Sequence, residues 1–209
     1  MSDATHIRWA AERLSVPESS ARKVWGGDRS TVYEIASWFL KIGDSLTPEC
    51  ERLQWARGRL PVPEVALFGT LDGKDALVTK AVPGTRLSTL MERRPAGDIV
   101  EMVATALRVF HATEAGDCPF KATITGDILV HGDACLPNIH FLDDGTLGGF
   151  VDLGEMGVGD IEADLAAAVW SLQYNLGPGH GLAFLRAYEL TGVTGEDVDR
   201  LWHLYADGS

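Results

Sequence analysis

The chain has 209 residues and a formal charge of −12, from 30 Asp plus Glu against 18 Lys plus Arg. Residues 1–121 hold 16 basic and 16 acidic side chains, whereas residues 122–209 hold 2 basic (Arg186, Arg200) and 14 acidic. A half without clustered Lys or Arg argues against nucleic acid and anionic lipid as partners, since both are bound through such clusters, and it permits a cationic ligand or metal-bound phosphates.

In chain order, the first third reads as β-rich. Val24–Gly27, Thr31–Ile35 and Trp38–Ile42 are short apolar or alternating runs parted by Gly and polar residues, the pattern of an antiparallel meander. Thr47-Pro48-Glu49 opens a helix, with Thr47 as N-cap, Pro at the first helical position and Glu at the positive end of the dipole. It runs to about Arg59, and strands follow at 65–70 and 76–81. Val82-Pro83-Gly84 is a connector. Beyond it, Ile99, Val103, Ala106, Leu107 and Phe110 recur at helical spacing and mark an amphipathic helix ending near His111. Strands at 139–142 and 148–151 flank the turn Asp143-Asp144-Gly145, a hairpin signal. Helices at about 161–175, 181–191 and 195–206 close the chain. The expected fold class is α+β and bilobal, with a β-rich lobe (1–81) carrying one helix and a mainly helical lobe (82–209).

No apolar run near either end approaches the roughly 18 residues that span a bilayer, and the N-terminus does not read as a signal peptide. Cys50, Cys118 and Cys135 are odd in number and widely spaced. They argue against a disulfide framework or a zinc ribbon and fit a reducing cytoplasm.

The chemistry is concentrated in His131-Gly132-Asp133-Ala134-Cys135-Leu136-Pro137-Asn138 and, fourteen residues after Asn138, Asp152-Leu153-Gly154. Nucleotide-dependent phosphoryl transfer needs a carboxylate to orient and deprotonate an acceptor hydroxyl, and hard oxygen ligands for Mg²⁺ on the nucleotide phosphates. Asp133 supplies the first, and Asn138 with Asp152 the second. The competing reading of all three is that Asp and Asn merely favour turns and caps.

The loop resembles the H-R-D-x-x-x-x-N loop of protein kinases with Gly132 in place of Arg, and Asp152-Leu153-Gly154 stands where D-F-G would be. HGDACLPNI, followed by GFVDLGEMGVGDIEADLA, is similar to the aminoglycoside phosphotransferases, closest to their 3′-phosphotransferase branch. That resemblance implies a protein-kinase-like fold, ATP and Mg²⁺ as cofactors, and an aminoglycoside hydroxyl as acceptor. It further implies that Lys41 contacts the α- and β-phosphates, that Glu49 (or else Glu51) holds Lys41, and that Phe39 stacks on adenine if it is not simply core. Segment 79–84 would be the hinge at the adenine edge, and 26–30 the loop over the phosphates. In that loop Asp28 contacts the nucleotide only if its charge faces away from the phosphates. Asp164 matches a residue that anchors the catalytic loop, His131 holds the loop backbone, and Cys135 is a packed small residue, not a nucleophile.

The resemblance runs from about Val24 to Trp202 with one break. Where the family inserts a helical, acceptor-binding segment after Phe120, only Lys121–Asp127 intervenes. Asp160, Glu162, Glu155 and Asp207 are the remaining acids that could grip a cationic sugar. Two alternatives stay open: a kinase of another small hydroxylated metabolite, and a nucleotide-binding module with reduced turnover.

Overall fold

A computed structural model describes residues 3–26 and 30–208. The chain divides into two compact units, one of Met1–Arg57 with Val62–Ala81 and one of Gly58–Pro61 with Val82–Ser209.

The first unit opens with α1 (Ala4–Leu14), followed by β1 (Ala21–Gly26), β2 (Ser30–Ile35), β3 (Trp38–Gly43), α2 (Thr47–Ala56), β4 (Val65–Leu71) and β5 (Lys74–Lys80). The strands form one antiparallel sheet in the order β1-β2-β3-β5-β4. Alternation along β3 sorts its side chains. Leu40 and Ile42 point to a core shared with Ile35, Ala76, Val78 and Ala10 of α1, so Phe39 and Lys41 occupy the opposite face. Helix α1 has no side-chain N-cap and buries small residues, Ala10 and Ala11, with His6, whose Nε2 lies 3.1 Å from the Leu71 carbonyl oxygen.

Two details of α2 differ from the sequence reading. Thr47 lies inside the helix and Leu46 is its N-cap, without a side-chain cap bond. The buried Asp75 fixes this start instead, since its Oδ2 accepts from Leu46 N at 2.9 Å and its Oδ1 from the Thr70 hydroxyl at 2.8 Å. The helix ends at Ala56 because Arg57 turns to an extended ψ of 125°.

The second unit comprises β6 (Thr85–Arg86), α3 (Leu87–Leu90), α4 (Ala96–His111), β7 (Ile128–Val130), β8 (Ile139–Phe141), β9 (Leu147–Phe150), β10 (Gly157–Gly159), α5 (Glu162–Leu176), α6 (Gly181–Ala187) and α7 (Gly195–Ala206). Strands β8 and β9 form the expected hairpin, with Leu142 N bonded to Thr146 O across the turn and Gly145 at φ 88°. The helix expected to reach 191 stops at Ala187, because Glu189 adopts φ 77° and Leu190 N returns to Leu185 O. The apolar face of α4 meets Phe150 and His131 through Phe110, whose ring lies edge-on to Phe150 at 4.9 Å. The α+β class expected from the sequence is the class observed: an antiparallel sheet with two helices, then a mainly helical unit. No helix among the described residues is long and apolar enough to cross a membrane.

Candidate active site

The catalytic loop leaves β7 at Val130 and is held from below by one carboxylate. Asp164, in the first turn of α5, is fully buried. Its Oδ2 accepts from His131 N and its Oδ1 from Gly132 N, both at 2.7 Å, while His111 Nε2 donates to Oδ2 at 2.9 Å. The outer nitrogen of His111 is 2.7 Å from the Tyr188 hydroxyl. A buried carboxylate is tolerated when donors saturate it, and here three do. Asp164 is therefore the loop anchor that the sequence suggested, and His111 is a part of the anchor that it did not.

His131 ties the loop to the segment that leads from β9 into the second motif. Asp133 N donates to its Nδ1 at 3.3 Å, so the ring hydrogen sits on Nε2 and is given to Val151 O at 3.0 Å. Asn138 adds a second tie, because Val151 N donates to Asn138 O at 2.9 Å. Gly132 is required between them. Its φ is 85°, and a Cβ there would lie 2.5 Å from Glu155 O, so no side chain fits where protein kinases carry Arg.

Asp133 and Asn138 are in direct contact. Asn138 Nδ2 donates to Asp133 Oδ2 at 3.0 Å and to Asp133 O at 2.9 Å, which turns Asn138 Oδ1 away from that carboxylate. Asp152 directly follows Val151, which Asn138 holds just past the end of β9, and is exposed and at φ 61°. An amide oxygen and a carboxylate are hard ligands. Mg²⁺, which keeps several waters and takes the rest of its shell from nucleotide phosphates, needs no more from the protein. The residues present thus fit the ion. Among the described residues no group of three or more His, Cys, Asp or Glu gathers as a self-sufficient metal site.

The other oxygen of Asp133 has a partner that the motifs did not reveal. The Tyr205 hydroxyl, from the end of α7, donates to Asp133 Oδ1 at 3.0 Å and lies 3.4 Å from Cys135 Sγ. Burial and then the nearby thiol and carboxylate hold that phenol well above its ordinary range. Cys135 is buried, and burial together with the charge of Asp133 pushes its thiol up to about 12. It is a packed residue whose Sγ lies 3.8 Å from Ala167 O, as expected, and not a thiolate nucleophile. Leu136 N donates to the buried Ser171 hydroxyl at 3.0 Å, a further loop support that no motif marked.

In the first unit, Lys41 Nζ lies 2.7 Å from Glu49 Oε2, with side-chain exposures of 19% and 10%. Glu51 is exposed. Of the two acids considered, Glu49 is the partner. Phe39 is half-buried on the same face of β3, opposite Thr79 of β5. Asp28, with Gly27 and Arg29, lies outside the described residues.

The short link after Phe120 is laid as a strap along β10. Val158 N donates to Phe120 O, Ala122 N to Val158 O and Asp160 N to Ile124 O, at 2.9–3.1 Å. Gly157 and Gly159 make room for it: a Cβ on either would come within 2.6 Å of strap atoms. Two acids considered for acceptor binding have local partners. Asp160 Oδ1 accepts from Glu162 N at 2.9 Å, and Glu162 Oε1 from Arg200 Nη2 at 2.8 Å.

Asp133 and Asn138 in contact on one loop, with Asp152 on the segment tied to that loop through Val151, keep the order of the two motifs, and the comparisons point to phosphotransferases. Residues 125–202 match the phosphotransferase enzyme family. The chain is 28% identical to an aminoglycoside 3′-phosphotransferase of Niallia circulans, over 91% of each chain. It is 29% identical to one from Streptomyces fradiae, over 75% of this chain and 76% of that one. An aminoglycoside phosphotransferase of Streptomyces rimosus, also solved with ADP and streptomycin, shares the fold with a TM-score of 0.76 at 21% identity, covering 99% of this chain and 98% of that one. The chain is thus similar to the aminoglycoside phosphotransferases and has their protein-kinase-like fold, as its two motifs implied.

Proposed function

We propose that this protein is an ATP-dependent phosphotransferase that moves the γ-phosphoryl group to a hydroxyl of an aminoglycoside, and so confers resistance to that antibiotic. The observation that carries the reading is the Asp133 carboxylate, fixed by Asn138 on a loop that Asp164 pins through two backbone N–H groups. In the reaction, the acceptor hydroxyl bonds to Asp133 and gives it its proton as the acceptor oxygen forms a bond to phosphorus. The bond from phosphorus to the ADP oxygen breaks in line. Lys41, kept in place by Glu49, bears on the α- and β-phosphates, and Phe39 offers its ring to adenine.

Asn138 Oδ1 and Asp152 would hold Mg²⁺, which when bound neutralises charge on the β- and γ-phosphates. Support for the donor and acceptor comes from the relatives, which are aminoglycoside 3′-phosphotransferases by name, one fold neighbour having been solved with ADP and streptomycin. Among the described residues all three cysteines are free thiols, which supports a cytoplasmic setting.

The strap in place of an inserted acceptor segment keeps a second reading in play, a kinase of another small hydroxylated metabolite. A screen of labelled ATP against aminoglycosides, neutral sugars and amino alcohols separates them. Transfer to aminoglycosides is expected. Transfer confined to neutral sugars or amino alcohols contradicts the antibiotic assignment, and nucleotide binding without transfer to any acceptor contradicts the enzyme.

A further inference from the structure

The most exposed large hydrophobic side chain among the described residues is Tyr174, at 75%. It lies on α5, one turn after Trp170, and the two rings stack with centroids 5.1 Å apart and planes within 11°. Trp170 in turn lies 5.2 Å from the ring of Tyr205, and the Tyr205 hydroxyl reaches Asp133 Oδ1 at 3.0 Å. Three aromatic rings thus form a strip that starts in solvent and ends on the proposed base. Its outer end is open to a ligand, because Tyr174 is exposed while its ring is held by the stack on Trp170.

The charge around the strip selects its ligand. From Ala122 to Leu185, a span that includes the catalytic loop and all of α5, the chain has no Lys or Arg. On α7, Arg200 is taken by Glu162. Aromatic faces are electronegative, and cations sit on them favourably. Sugar rings also place their C–H faces on aromatic rings. The catalytic loop and α5 thus offer an anionic or phosphorylated acceptor no counter-charge, whereas a protonated amino sugar finds both a π surface and the Asp133 carboxylate.

We infer that Trp170, Tyr174 and Tyr205 form the acceptor platform of this enzyme, taking a multi-ring amino sugar whose reacting ring lies at Asp133 and whose remote, ammonium-bearing ring lies on Tyr174. The inference rests on the phosphotransferase reading and deepens it. Because Tyr174 is two rings removed from Asp133 through Trp170 and Tyr205, a single-ring acceptor at the base does not reach it. The platform stands in for the acidic segment that the short 121–127 strap leaves out. Tyr205 is in addition a positioning residue, since its hydroxyl orients the base.

The test is calorimetric titration with kanamycin and with its N-acetylated, uncharged derivative, alongside phosphoryl transfer to kanamycin. The proteins are wild type and Tyr174→Ala, an exposed substitution that leaves the fold intact. Removing one cation–π contact is expected to weaken kanamycin binding about tenfold and to leave the ATP KM unchanged. In the wild type, N-acetylation is expected to cause at least as large a loss, and Tyr174→Ala should add less than its own tenfold to the loss seen with the acetylated derivative. Tyr205→Phe keeps the ring and removes the hydroxyl, so it should lower kcat while the acceptor KM stays within about twofold of wild type. Transfer by the wild type with an unaltered acceptor KM in Tyr174→Ala overturns the platform and leaves the enzyme reading standing. Tight binding that depends on Tyr174 but gives no transfer overturns the enzyme reading instead. Neither binding nor transfer overturns both.

Discussion

Asp164→Ala strips one acceptor side chain from three donors at once. In the native protein Asp164 takes His131 N and Gly132 N at 2.7 Å and His111 Nε2 at 2.9 Å, in a place with no exposure to solvent. A buried donor left unpaired costs about 1–3 kcal/mol, so even the lower figure for each gives a loss of roughly 3 kcal/mol, before any cost for the missing volume. A small domain has roughly 5–15 kcal/mol in all, which makes the variant marginal. Asp164→Asn is the finer probe. Its remaining oxygen still serves Gly132 N, and a tautomer change at His111 can accept the new amide hydrogen, but His131 N then faces a donor. A loss of about 1–3 kcal/mol is expected, localised there. Native-state hydrogen exchange reads both, with protection at the His131 and Gly132 amides falling together in Asp164→Ala and chiefly at His131 in Asp164→Asn. Protection of both amides in Asp164→Ala within about 1 kcal/mol of wild type refutes the anchoring argument.

Three other outcomes are expected. Glu49→Gln releases Lys41 from its 2.7 Å contact and should raise the Kd for ATP about tenfold, as measured by titration with Mg²⁺ present; the pair is partly exposed, so the effect stays near that of one charge-assisted hydrogen bond. Gly132→Ala adds a Cβ at 2.5 Å from Glu155 O on a residue at φ 85° and should lower both Tm and kcat, the backbone strain alone being about 1–2 kcal/mol; unchanged thermal unfolding contradicts the close-approach argument. Cysteine labelling at pH 8 should find Cys118, half-buried, reacting first. Cys135 lags, because a thiol pushed up to about 12 is only about one part in ten thousand thiolate at that pH, and Cys50 is likewise buried with its thiol raised by desolvation and nearby acids.

The parts legible in the sequence are those where one local rule decides. The hairpin around Gly145, the start of α7 and the Lys41–Glu49 pair follow from turn chemistry, helical periodicity and motif order. Helix α1 was hidden because its buried face is Ala10, Ala11 and His6 in place of a Leu or Ile stripe, and because no side chain caps it. Strand β10 was hidden because Gly-Val-Gly has no alternating apolar pattern, whereas its glycines admit the strap that lies against it. In the site, Asp133, Asn138, Asp152 and Asp164 sit in ordered motifs that sequence exposes. Their supports do not: His111, Ser171 and Tyr205 are 53 residues from Asp164, 35 from Leu136 and 72 from Asp133 respectively, and only the packing of α4, α5 and α7 brings them in. Trp170 and Tyr174 carry no motif, and their approach to Asp133 through Tyr205 is tertiary. The charge asymmetry gains meaning from this placement, since the stretch free of Lys and Arg contains both the catalytic loop and the helix that carries the aromatic strip.

The most direct test of the central claim is single-turnover transfer of labelled γ-phosphate to an aminoglycoside by Asp133→Ala and Asp133→Asn, with Mg²⁺-dependent ATP affinity measured on the same samples. If Asp133 is the base, transfer falls by about 10²–10⁴-fold in both variants while the Kd for ATP stays within about twofold of wild type. Undiminished transfer in either variant contradicts the account.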